Sequence, residues 1–191
     1  MAGEFPEFRL GSVLATSFTA TLTERCGDPV ERIPTPQRFV DWLAVNGLAV
    51  PSCTAAQLEL ARELRESVHL AATAAAVHDA PPASAVEVIN DCSIRGGAAA
   101  VLTSDGNREW RLGSTTGVDD ALGVIAEDAI SILSGERDGR LALCASPTCR
   151  AAFFDTSRSR TRRWCEMNTC GNREKKARFH ANQRQATGSA Q

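Results

Sequence analysis

The chain has 191 residues, 43% of them hydrophobic and 23% charged, an ordinary globular composition that excludes a wholly disordered or fibrous protein. No run of 18 or more apolar residues occurs, and the opening MAGEFPEFRLGS is acidic, without the basic-then-apolar order of a signal peptide. A soluble cytoplasmic protein with no membrane partner is therefore expected.

The formal net charge of −2 conceals a division. Residues 1–136 carry 9 arginines against 19 carboxylates, a net of −10, whereas residues 137–191 carry 12 basic residues against 4 acidic ones, a net of +8. An acidic body followed by a basic module suggests that the module meets a polyanion.

In chain order, Leu14, Phe18 and Leu22 stand at four-residue spacing and predict a helix over residues 12–23. The following CGDPVERIPTP carries three prolines and a Gly-Asp pair and reads as a loop. Thr35 then caps a helix with Pro36 at its first position, which buries Phe39, Trp42 and Leu43 and ends at Asn46-Gly47. Thr54 starts the strongest helix, running towards Asp79, with Leu58, Ala61, Leu64 or Arg65, Val68, Ala72 and Ala75 along one stripe, and Pro81-Pro82 ends it. A short helix over 84–93 presents Val86, Ile89 and Asn90. Beyond Gly96-Gly97, alternation around Asp105-Gly106-Asn107 predicts a β-hairpin whose Trp110 and Leu112 face the helices. A last body helix, 117–134, aligns Val118, Leu122, Ile125, Ala129 and Leu133 and stops at Gly135.

The expected fold is α+β, mainly α: a helical N-terminal domain over 8–134 with a small β-hairpin, then a compact four-cysteine module over 138–182, treble-clef-like or knuckle-type, with a C-terminal helix. The polar residues 183–191 read as a disordered tail. The two parts should separate in the turn Gly135 to Gly139.

Seven cysteines, an odd number, do not suggest a disulfide framework. Cys26, Cys53 and Cys92 are scattered singly and read as small buried hydrophobes. The other four form two C-x4-C pairs, Cys144 with Cys149 and Cys165 with Cys170, separated by 15 residues. Four thiolates on two tight turns suit one structural zinc ion and leave no open position for catalysis. Four intervening residues, rather than two, also argue against a redox pair. Pro147 predisposes the first loop to turn, and Gly171 is free to take positive φ at the exit of the second. His180 could replace a ligand but reads more simply as a surface residue. Phe153, Phe154, Trp164 and Phe179 are the expected core of the module, with Phe153 or Phe154 on a short strand beside the metal. So small a module should owe much of its stability to the metal.

Between the pairs, Arg158, Arg160, Arg162 and Arg163 alternate with hydroxyls. After them, residues 172–180 contain no helix breaker, and Arg173, Lys176, His180 and Arg184 share a helical face flanked by Lys175 and Arg178. Such a helix suits the DNA major groove, with Arg173 and Lys176 near base edges and Arg158 to Arg163 on phosphates. In this module arginine outnumbers lysine ten to two. A solvated charged surface, RNA and a protein partner are the alternatives.

The run from C-x4-C through FFDTSRSRTRRWC to C-x4-CGNR resembles the CGNR zinc finger over about 138–182, with Cys170, Gly171, Asn172 and Arg173 as its signature. Residues 8–134 resemble, by length and order of helices, the ABATE domain that accompanies this finger. The resemblance implies a stress-linked transcription regulator that binds DNA through the finger and a small ligand through the N-terminal domain. Where related chains have an Asp-Phe-Val-Asn-Thr-like stretch, this one has Thr16-Ser17-Phe18-Thr19-Ala20-Thr21, so no ligand residue is carried over. The alternative from another class is an enzyme whose N-terminal domain is catalytic and whose finger is a tether. Against it stand the lack of tyrosine, a body with only His69 and His78, and the absence of a glycine-rich phosphate loop. No catalytic residue is assigned.

Overall fold

The computed structural model describes residues 5–11, 13–113 and 117–188. Along these run α1 (Leu14–Thr19), β1 (Leu22–Thr23), β2 (Val30–Glu31), α2 (Pro36–Val45), α3 (Ala55–Ala76), α4 (Ala83–Arg95), β3 (Ala99–Leu102), β4 (Arg108–Arg111), α5 (Gly117–Leu133), β5 (Arg140–Leu143), β6 (Ala152–Asp155) and α6 (Asn172–Gly188). The strands pair as three separate antiparallel two-stranded ladders, so the fold is α+β and mainly helical, as the sequence predicts.

Helix α1 is shorter than its apolar spacing suggests. Thr21 donates both its hydroxyl, at 2.8 Å, and its N–H, at 3.0 Å, to the carbonyl of Phe18, competing with helix continuation. Leu22 and Thr23 leave the helix and pair with Glu31 and Val30, so the proline-rich segment contains a strand and is not wholly loop. The threonines point inward, where two buried arginines meet them. Arg32 Nη1 donates to Thr23 Oγ1 at 2.6 Å, and Arg65 Nη1 donates to Thr21 Oγ1 at 3.2 Å and to Glu31 at 2.8 Å. Such partners are what make a buried guanidinium tolerable.

No residue beside α1 caps it with a side chain. Instead Asp128, on α5, accepts from Ala15 N at 2.8 Å and pairs through its other oxygen with Arg137 at 2.8 Å. The caps of α2 and α3 are local and match expectation: Thr35 accepts from Arg38 N, and Thr54 with Gln57 forms a capping box. Helix α3 stops at Ala76, before the prolines, because His78 adopts φ +64°. Helix α4 buries Ala85, Ile89 and Cys92, leaving Val86 half-buried and Asn90 exposed.

Helix α5 is the centre, with 12 of its 17 residues buried. Its Gly123 meets Gly96 at the end of α4 so closely that a Cβ on either would stand 2.6 Å from the other's Cα. Buried Asp120 accepts from Gly97 N at 2.7 Å and Gly113 N at 2.6 Å, tying both ends of the β3–β4 hairpin to α5. Gly106 turns that hairpin at φ +79°, and Trp110 and Leu112 lie half-buried against the helices.

The apolar core does not stop at the turn after α5. Leu141, Ala152 and Phe154 of β5–β6 join the same cluster as Phe18, Trp42, Leu64 and Ile125, and the hairpin rests on α3. The expected separation at Gly135 to Gly139 is thus bridged by a shared core. Phe179, expected inside the module, is 60% exposed, because α6 runs away from the hairpin. Cys92 is buried and Cys53 half-buried, but Cys26 is exposed and is not the small buried hydrophobe expected. Helix α6 continues to Gly188 through most of the expected disordered tail, whose residues 189–191 lie outside the described residues.

Candidate metal centre and nucleic-acid interface

Pairing of Leu143 with Ala152 brings Cys144 and Cys149 together at the open end of the β5–β6 hairpin. Between them Ser146 O accepts from Cys149 N and Arg150 N at 3.2 and 3.1 Å, and Arg150 takes φ +48° to let the chain return. Cys170 sits in a single π-helical turn, Met167–Gly171, that leads straight into α6, and Gly171 N donates to Glu166 O at 3.2 Å. Gly171 is not at positive φ as the sequence suggests; a Cβ there would meet the flexible Met167 side chain at 2.2 Å and Trp164 Cδ1 at 3.2 Å.

The four sulfurs lie within 4.8 Å of one another, with Cys149 to Cys165 at 3.6 Å and Cys165 to Cys170 at 3.7 Å. Zinc–sulfur bonds of about 2.3 Å require a tetrahedron with edges of about 3.8 Å, so the cluster fits one structural zinc ion. Cys144, Cys149 and Cys170 are fully buried, whereas Cys165 is half-buried and with Cys149 lines a cavity of about 110 Å³. Hydrogen bonds among the crowded thiols pull the Cys144 pKa down and push that of Cys149 up. Four thiolates in this volume need a divalent cation to balance them. His180 lies outside the cluster, its ring edge-on to Phe179 at 5.8 Å.

Residues beyond the cysteines lock the site to its surroundings. Fully buried Ser146 donates to Glu174 Oε1 at 3.0 Å, joining the first loop to α6. Arg173 donates through Nη2 to Cys170 Sγ at 3.4 Å and forks onto Glu24, at the end of β1, at 2.8 and 3.1 Å. Glu24 also accepts from Thr148 Oγ1 at 2.8 Å, and Cys26 N donates to Thr148 O at 3.0 Å. Burial alone would raise the Glu24 pKa, but hydrogen bonds from Arg173 and Thr148 outweigh it and hold the carboxyl below its ordinary value.

The arginine loop is built on Asp155, a fully buried carboxylate at the end of β6 that accepts from Ser157 N at 3.0 Å and Arg162 N at 2.9 Å. Arg160 pairs with Asp138. Arg162 donates to Cys165 O at 2.8 Å and lies over the Phe153 ring, while Arg163 lies over Trp164. Arg158 is exposed and has no partner among the described residues. On α6, Lys175, Lys176 and Arg178 are exposed and likewise without partners among the described residues. Arg173 is therefore set apart from the cations with which the sequence groups it: its guanidinium turns to the body and the metal site. Sequence reasoning did not find Glu24, Asp155 or Glu174, and no local spacing marks them.

Fold and site together define a helical body completed by a four-cysteine zinc module. The chain belongs to the ABATE family, described as "Putative stress-induced transcription regulator", whose model matches residues 12–136, and residues 140–183 match the CGNR zinc finger. No curated protein is similar enough to the chain to match it. No helix among the described residues is long and apolar enough to cross a membrane.

Proposed function

We propose that the chain is a cytoplasmic transcription regulator that binds duplex DNA through α6 and the loop 157–163, while its body takes a small ligand. The observation that carries this reading is α6 itself. From Asn172 to Arg184 every side chain but Glu174 is exposed, and the helix springs from a metal site that fixes its direction. A helix with no apolar face to bury gains little from folding alone, and Lys175, Lys176 and Arg178 on it suit a phosphate backbone. The ligand reading draws support from a cleft of about 290 Å³ lined by Arg108, Trp110, Glu127, Asp128 and Arg137, the last in the turn that leads to β5. The reading is of a binding protein, since the cluster of thiols among the described residues supplies four ligands to one structural metal ion, which leaves no coordination position for a substrate.

The test is fluorescence anisotropy of the zinc-loaded chain on a short duplex between 50 and 200 mM salt. Replacing Lys175, Lys176 and Arg178 together by glutamine should flatten the slope of log affinity against log salt by about 2.7 and weaken all sequences alike. Wild-type protein that holds its zinc and shows no salt-dependent binding would defeat the reading. Genome-wide immunoprecipitation should then separate discrete operators from general affinity.

A further inference from the structure

Arg173 is a cation of the basic module whose two terminal nitrogens both engage the acidic body. Its partner Glu24 is 149 residues away in sequence and has the features of a built contact. The Glu24 side chain is only 14% exposed, against 41% for Arg173. Its backbone is held at φ +55°, a conformation that is uncommon outside glycine and persists where surrounding structure enforces it. Thr148 of the zinc loop donates to the same carboxylate, and Arg9 Nη2 stands 4.0 Å from it. A carboxylate and a phosphate present the same pair of acceptor oxygens to a guanidinium fork, and only one of them can occupy it. The neighbouring cations Lys175, Lys176 and Arg178 have no such competitor among the described residues.

We propose that Glu24 occupies on Arg173 the place a nucleic-acid phosphate would take, so that the N-terminal body withholds one cation of the finger helix and thereby sets its affinity. The proposal rests on the DNA-binding reading above and adds to it a determinant that lies outside the finger. Arg173 Nη2 also donates to Cys170 Sγ at 3.4 Å, so a guanidinium released from Glu24 has a second anchor at the start of α6.

The experiment uses the full zinc-loaded chain and a duplex of random sequence, with Glu24→Gln as the isosteric variant and Glu24→Ala as the second. One additional phosphate contact steepens the slope of log affinity against log salt by about 0.9, so the advantage of either variant over wild type should grow about 3.5-fold between 200 and 50 mM salt. In an Arg173→Met background, Glu24→Gln should change nothing. Wild type and both variants binding with the same slope would overturn the proposal while leaving the DNA-binding reading intact. Weaker binding by variants that keep one zinc per chain would also overturn it, since Glu24 would then position the helix for DNA. Loss of zinc from both variants would overturn it too, by assigning Glu24 to construction of the metal site. If neither wild type nor variants bound the duplex, the DNA-binding reading itself would fall and this inference with it.

Discussion

Replacing Phe154 with alanine probes the seam between body and finger. The ring is 5% exposed and packs in the cluster that contains Phe18, Trp42, Leu64 and Ile125, yet it belongs to the hairpin that carries the metal. Truncating a buried phenylalanine typically costs about 3–5 kcal/mol, from lost transfer energy and the cavity left behind. In a chain of this length each kcal/mol lowers the melting temperature by about 2–4 °C, so the expected fall is roughly 6–20 °C. Calorimetry of the zinc-loaded chain, with helix content followed in parallel by circular dichroism, is the assay. A shared core requires one cooperative transition that moves as a unit, with the α3 and α5 signal lost at the lowered temperature. A helical transition displaced by less than about 2 °C, with a separate earlier event for the finger, would show that the body folds without the hairpin and refute the reasoning.

Changing Cys165 to serine leaves three thiolates, and metal analysis of the purified protein should find the zinc content falling well below one per chain; unchanged content would exclude Cys165 as a ligand. Gly123→Ala must push α5 away from Gly96, backbone against backbone, and should cost about 1–3 kcal/mol in denaturant unfolding, whereas a neutral result would mean that α4 yields freely. Burial, with the nearby charge of Arg25, depresses the His69 pKa to about 4, so the folded state holds this imidazole neutral. An unfolded value near 6.5 then makes its contribution complete above about pH 6.5 and lost as pH falls towards 4, an upper bound of about 3 kcal/mol. His69→Gln should flatten the stability curve across that window, and identical curves for the two proteins would contradict the assignment.

What the sequence made legible was short in range. Thr35 and Thr54 announce their helices because a cap and the N–H that donates to it lie three residues apart, and the two C-x4-C pairs announce a metal site because each needs one tight turn. Asp128 capping α1 across 113 residues, and Glu24 holding Arg173 across 149, leave no spacing to read. The threonine run misled because its apolar residues keep helical period while Thr21 takes the Phe18 carbonyl that a longer helix needs. Charge division suggested two independent parts, yet charge describes surfaces, and the junction is made by Leu141, Ala152 and Phe154 beneath them. Phe179 was expected inside because aromatic residues usually are, but α6 leaves the hairpin at once and has nothing to cover it.

The shared core also sets an order of events during synthesis. The residues that complete the packing around α3 come after α5 in the chain, so a ribosome releases the body before it has the side chains that finish it. Until the hairpin emerges and its thiols take a metal ion, the nascent body exposes the apolar surface that Phe154 later covers. The expected consequence is that steady-state abundance of the protein falls when zinc is scarce, since unfinished chains are the ones that chaperones and proteases remove.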